Sequence, residues 1–329
     1  TTMAEIQDRK FKELGFQKVN TTKGVVSYSQ NLEKAASDNP IIILLHGYPQ
    51  SSYIWRLIAP LLNEKPLFIP DLPGYGQSKP VDQNDKLSIG TCIMEALREL
   101  ISESKSTNSV LPVVLAGHDR GAKVAQALQV NAGKSDVSGF SIVGLTLFDV
   151  VPTLYQWGIG NSAAAQKGYF HWSFLANVPI AKRMIMAYGG GQWAKDMIDG
   201  WSGSNKDGLE KLKSGDSLKV YNEFFNNESV VEASCLDYEA GAGADVDRES
   251  DDIENGRSIS VPFLLIYSAD FLSKRAKKPI SEVWGAPWTK AKIPATFVPI
   301  GGGIGHFIPE EAPEQAAAAL LDWLRSIQS

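Results

Sequence analysis

The amino-acid sequence predicts an α/β protein: a doubly wound, mostly parallel sheet with a helical cap inserted into it. Three observations carry this reading. Short apolar runs such as "IIILL" (41–45) alternate with segments of helical spacing, the alternation stops after Pro152, and it resumes at Val261. Continuous apolar runs mark strands buried on both faces, as a parallel sheet requires. Their alternation with helices is the sequence form of such a sheet.

Taken in order, residues 25–29 alternate as a strand, 41–45 form a buried strand ending at His46-Gly47, and 53–62 ("YIWRLIAPLL") repeat at helical spacing. Residues 67–69 make a short strand, 87–101 a helix, 110–116 a strand, 121–130 a helix and 142–148 a strand. From about 153 to 255 the chain carries Trp, Tyr, Phe and Met in helix-like patches, punctuated by "YGGGQW" and "EAGAGAD", with no strand pattern. A charged linker, "DRESDDIENGR", leads to strands at 261–267 and 295–300 and a closing amphipathic helix at 312–327. The expected organisation is a core from 3–152 and 256–329 around a cap at 153–255. Thr1 and Thr2, ahead of Met3, have the look of a cloning leftover and are set aside from the fold reading.

Composition narrows the function classes. The 329 residues are 43% hydrophobic, enough for a sizeable core, and 32 basic against 37 acidic residues give a net charge of -5 without a long single-sign block. No footprint for nucleic acid is present. No apolar stretch approaches a membrane span, and no signal-peptide pattern opens the chain, so a cytoplasmic protein with a small-molecule substrate is expected. Two cysteines, Cys92 and Cys235, cannot make a disulfide framework and fit a reducing compartment. The histidines are not spaced as metal ligands and no glycine-rich phosphate loop follows a strand, so neither metal nor cofactor is expected.

The chemistry is expected at "LAGHDRGAKVA" (115–125), where a buried strand ends, one carboxylate stands between small residues, and a helix begins. That is the outline of a nucleophile elbow, with Gly117 and Gly121 at minus two and plus two from Asp119. A carboxylate is ionised at neutral pH and can displace a leaving group at sp³ carbon without a base. The resulting ester must then be hydrolysed by water that a histidine activates, oriented by a second acid. Among His46, His118, His171 and His306, His306 in "GGGIGHFIPEEAP" follows the last strand, where a loop returns over the elbow; His46 is expected to be structural. For the orienting acid the residues leave two choices, Asp149 in "LTLFDVVPT" and Asp270 in "LLIYSADFL", both at strand ends. The glycine turn "LLHGYP" puts the Tyr48 amide, with that of Arg120, in reach of an oxyanion.

"HGYPQ", "DLPGYGQSKP", "GHDRGAK", "FDVVPT", "YFHWSFL", "CLDYEAGAGAD" and "GHFIPEEAP" follow one another as in the fluoroacetate (haloacetate) dehalogenases, and from about 41 to 327 the chain resembles that family of the α/β-hydrolase fold, related to epoxide hydrolases. The resemblance implies Asp119 as nucleophile, His306 as base and Asp149 as its orienting acid. It also implies Arg120 on the substrate carboxylate, and His171, Trp172 and Tyr238 as donors to the departing halide. A homodimer is expected on the resemblance alone. Departures from the family pattern are Lys123 where a second substrate-binding arginine is usual, Glu239 where an arginine is common, and a longer loop at 131–141. The resemblance therefore implies hydrolytic dehalogenation of a short 2-haloacid. The alternative is an epoxide hydrolase using Tyr238 with Tyr155, Tyr169 or Tyr188 as proton donors, although tryptophan is common there where Arg120 stands. A non-catalytic binding protein on the same scaffold is the third reading.

Overall fold

A computed structural model describes residues 2–62, 64–104, 110–133, 137–160 and 162–328. Its centre is one eight-stranded sheet of β1 (Gln17–Asn20), β2 (Val26–Gln30), β3 (Ile41–Leu45), β4 (Leu67–Pro70), β5 (Leu111–His118), β6 (Phe140–Phe148), β7 (Phe263–Ser268) and β8 (Ala295–Ile300). The order across the sheet is β1-β2-β4-β3-β5-β6-β7-β8. β1 and β2 are antiparallel to their neighbours and the rest run parallel. Every residue of β3 is fully buried, as a run of Ile and Leu covered on both faces must be.

Register decides where the chemistry can sit. Leu45 pairs with Gly117, and His118 with Phe148. The residues just beyond these pairs, Tyr48, Asp119 and Asp149, therefore emerge side by side at the carboxyl edge, the edge where open α/β sheets bind ligands. The helix Arg120–Val130 follows β5 and Pro313–Gln328 closes the chain.

Between β6 and β7 the described residues form helices and no strand, from Thr153–Ile159 through Phe170–Ala176, Val178–Tyr188, Gly190–Trp201 and Glu228–Gly241 to Ala244–Glu254. Three expectations need correction. Residues 53–62 are not an α-helix but two 3-10 turns, Ser52–Arg56 and Ala59–Leu62, because the first is bound sideways: the Ser52 amide donates to Asp71 at 2.8 Å and Arg56 pairs with buried Glu310. Most of the charged linker is helical, and three of the acids in Ala244–Glu254 (Asp245, Glu249 and Asp252) are buried. Thr2 belongs to the fold after all, as its hydroxyl accepts from the Glu5 amide and caps the helix Met3–Glu13. Residues 134–136 of the 131–141 loop and Thr1 lie outside the described residues. Cys92 and Cys235 are both free thiols. Among the described residues no helix is long and apolar enough to cross a membrane.

Candidate active site

The elbow forms because its neighbours lack side chains. Asp119 holds φ 53° and ψ -117°, a conformation that costs free energy in a non-glycine residue. A Cβ at Gly117 would stand 2.3 Å from the Gly121 carbonyl oxygen, and one at Gly121 would stand 2.3 Å from that of His46. Only glycine lets strand, turn and helix approach this closely. The strained turn lifts the Asp119 carboxylate off the sheet edge, where Oδ1 accepts the Tyr48 amide at 2.8 Å. Among the described residues no hydrogen bond runs from the Arg120 amide to this carboxylate, so of the two expected oxyanion donors Tyr48 is the one engaged.

Asp119 Oδ2 stands 3.5 Å from His306 Nε2, and His306 Nδ1 is 2.7 Å from Asp149 Oδ2. Asp149 Oδ1 also accepts the Ser268 amide at 2.7 Å, which fixes the carboxylate against the ring. Nδ1 thereby faces Asp149 and Nε2 is turned to Asp119, so each ring nitrogen meets a carboxylate. Asp270, the competing acid, accepts the Gly303 amide and pairs with Lys274, away from His306.

Burial alone would lower the His306 pKa, but the two flanking carboxylates outweigh it and lift it to about 9. Burial likewise works against ionised Asp119, and the facing His306 ring overcomes it to hold the carboxyl well below its usual range. Asp149 goes the other way: burial raises it more than His306 lowers it. His118 and His171 are pushed down to about 3 by burial and stay neutral. His118 Nε2 meets the His306 carbonyl at 2.8 Å, and His46 Nε2 accepts the Leu72 amide at 2.9 Å, so both serve the backbone.

A cavity of about 40 Å³ lies over these groups, with Asp119, Arg120, Lys123, Asp149, His171, Trp172 and His306 in its wall. Arg120 Nε and Nη2 donate to Asp237 Oδ1 at 3.1 and 2.9 Å, and its guanidinium carbon lies 4.0 Å from the centre of the Tyr238 ring. Lys123 donates to the Val151 carbonyl, and burial draws its pKa down to about 7. The Tyr238 ring packs edge-on against those of His171 and Trp172, both in the cavity wall. Its hydroxyl and His171 Nδ1 are buried without a hydrogen-bond partner. Of the other tyrosines considered, Tyr169 lines the cavity, Tyr155 has a buried unpartnered hydroxyl, and Tyr188 is exposed and bonded to Asp196, too far out to serve.

Sequence reasoning missed Trp201, Gln156, Phe271 and Leu272 in the wall, and Asp237 as the partner of Arg120. Asp237 sits inside the motif "CLDYEAGAGAD", and the aspartate beside Tyr238 was the available signal. The apolar wall residues come from distant elements and carry no local mark. Among the described residues no cluster of three or more His, Cys, Asp or Glu side chains could hold a metal ion.

Comparison with known proteins agrees with this architecture. The model of the alpha/beta hydrolase family matches residues 42–319. A fluoroacetate dehalogenase of Burkholderia sp. is 25% identical over 295 residues, covering 88% of each chain. A soluble epoxide hydrolase of Corynebacterium sp. (strain C12) is 26% identical over 308 residues, covering 87% of this chain and 90% of that one. A solved Pseudomonas aeruginosa protein, provisionally assigned as an epoxide hydrolase, superposes with TM-score 0.76 at 23% identity over 95% of this chain and 97% of its own, a likeness of fold. With the matched span, the sheet order and two relatives that cover most of its length in agreement, the chain is an enzyme and belongs to the alpha/beta hydrolase family.

Proposed function

We propose that the protein hydrolyses a short 2-haloacid through an aspartyl ester. The observation that carries this is the Asp119 carboxylate, ionised, with one oxygen on the Tyr48 amide and the other facing a histidine braced by Asp149. Asp119 Oδ2 attacks the halogen-bearing carbon, the new C–O bond forms as the carbon–halogen bond breaks, and the halide leaves with its electron pair. Arg120 and Lys123, both in the cavity wall, supply positive charge for the substrate carboxylate. His171, Trp172 and Tyr238 supply N–H and O–H donors for the halide, which in a dry pocket needs them. The buried, unpartnered His171 Nδ1 and Tyr238 hydroxyl support that role.

Ester formation also switches the base on. The same step removes the negative charge of Asp119, one of the two carboxylates that hold His306 protonated, so the imidazolium becomes acidic enough to release its Nε2 proton to solvent, from which it is regained once Asp119 is again a carboxylate. Neutral Nε2 then takes a proton from water as the water oxygen attacks Asp119 Cγ. Oδ1 carries the developing charge on the Tyr48 and Arg120 amides. Collapse returns Asp119 as carboxylate, and the hydroxy acid leaves with a proton from His306.

The test is His306→Ala with chloroacetate: an ester should accumulate on Asp119, read by intact mass and peptide mapping, while wild type releases halide steadily. Folded protein that yields neither halide nor adduct with fluoroacetate or chloroacetate removes the reading. Epoxide opening is the second reading, favoured by the unpartnered Tyr238 hydroxyl and by Tyr169 in the cavity wall. Turnover of an epoxide panel without halide release from haloacids would select it.

A further inference from the structure

His306 is carried by the loop after β8, and that loop is not held by the core alone. Its amide donates to the Trp201 carbonyl at 2.9 Å, while the Ser204 and Asn205 amides donate to the Gly303 carbonyl at 2.7 and 3.0 Å. Asn205 Nδ2 adds a bond to the Gly302 carbonyl at 2.9 Å. The loop therefore packs backbone to backbone against residues 201–205 at the end of the helix Gly190–Trp201. No side chain fits between them: a Cβ at Gly203 would stand 1.9 Å from the Gly303 carbonyl oxygen, and one at Gly305 would stand 2.2 Å from the Gly203 nitrogen.

Glu311 closes this seam. It is buried and has no cationic side chain paired to it among the described residues, a costly state for a carboxylate unless donors surround it. The donors are three amides. Oε2 accepts Gly203 at 2.8 Å and Gly305 at 2.9 Å, and Oε1 accepts Phe307 at 3.1 Å. Two of these amides flank His306 and the third belongs to the turn after Trp201, whose ring lines the cavity.

We infer, building on the role proposed for His306, that Glu311 is a positioning residue which clamps the His306 loop to the 201–205 turn and so sets where the imidazole stands relative to Asp119 and Asp149. Its carboxylate has both oxygens occupied by N–H donors. Glutamine offers only one acceptor, and its NH₂ would face an N–H group wherever it turned. The base is then misplaced although no group that touches substrate has changed.

Two measurements on the full chain test this, using Glu311→Gln and, as a second variant should the first fail to fold, Gly203→Ala, which keeps the Glu311 carboxylate but wedges the seam, its Cβ 1.9 Å from the Gly303 carbonyl oxygen and 2.8 Å from Glu311 Oε2. The first is titration of the His306 ring by NMR, which needs no turnover. In both variants its pKa should drop from about 9 toward the ordinary 6.5 as contact with the two carboxylates loosens. The second follows both half-reactions with chloroacetate: ester formation should stay near wild type, hydrolysis should slow on the order of 10²-fold as for an ångström-scale misplacement, and kcat and KM should fall together. An unchanged His306 titration in a folded variant, or two half-reactions slowed alike, overturns the assignment. Should wild type and His306→Ala form no ester, the proposed reaction fails, and the titration still decides whether Glu311 positions the ring.

Discussion

Lys123 has the chemistry most exposed to pH. Burial brings its ammonium down to about 7, so it carries charge below that pH and loses it above. An arginine at the same place would stay charged throughout. For an anionic substrate the sign follows: kcat/KM, which reports the free enzyme, should fall as pH rises through 7, because the cation that helps bind the carboxylate is lost. Lys123→Arg should flatten that limb while preserving turnover, and Lys123→Met should lower kcat/KM below pH 7 and converge on wild type above it, where the wild-type side chain is neutral too. A wild-type kcat/KM for chloroacetate that stays level between about pH 6 and about pH 9 would show that the Lys123 charge plays no part in binding. Arg120 cannot replace it, because Nε and Nη2 are already committed to Asp237 and only the Nη1 edge is left for a ligand.

Among the elements, the 3-10 turn Ser52–Arg56 is anchored by a fully buried ion pair. Arg56 pairs with Glu310, which also accepts the Tyr221 hydroxyl at 2.7 Å and Gln50 Nε2 at 2.6 Å, and Arg56 Nη2 donates to the Leu212 and Ser214 carbonyls. Glu310→Gln leaves the guanidinium buried without its counter-charge, which should cost about 3–5 kcal/mol. The check is the urea midpoint at unchanged slope, and a midpoint equal to wild type would refute it. This element also marks where the sequence is silent. β3, β5 and β7 are legible because burial on both faces demands nearly unbroken apolar runs, and the elbow is legible because its glycines are a steric necessity. Residues 53–62 do have helical spacing, but partners up to 254 residues away hold the first turn in another form. β1 is mostly exposed and offers no apolar run to read. The acids of Ala244–Glu254 look like a solvated linker until Lys86 is brought against Asp245. Asp119 and His306 could be located from strand order, whereas Asp149 and Asp270 both end strands and only the family resemblance separates them; Trp201 and Glu311 could not be located, because their value lies in contacts made only after folding.

Across the whole molecule, sheet and inserted helices are joined by alternating buried charges. Arg120 meets Asp237, Asp237 meets Lys86, Lys86 meets Asp245 at 3.1 Å, and Asp245 meets Arg248. Arg120 and Lys86 belong to helices of the sheet layer; Asp237, Asp245 and Arg248 come from the insertion. Burial tends to raise both aspartates, but Arg120 and Lys86 around Asp237, and Lys86 and Arg248 around Asp245, more than offset it and hold both below the ordinary carboxylate range. A carboxylate lowered in this way contributes stability that is present above its unfolded value of about 3.8 and lost as pH falls through the folded one. Lys86→Met removes the cation between the two. At neutral pH the variant should be less stable by about 3–5 kcal/mol, since two buried carboxylates lose a shared partner. The deficit should narrow on acidification, because protonated aspartates no longer need Lys86 and an unpaired buried ammonium then burdens wild type instead. Urea midpoints of both proteins from neutral pH down to the acid limb measure the gap. A gap that does not change with pH would mean that Lys86 acts by packing, and that the insertion is held over Asp119 by apolar contact rather than by charge.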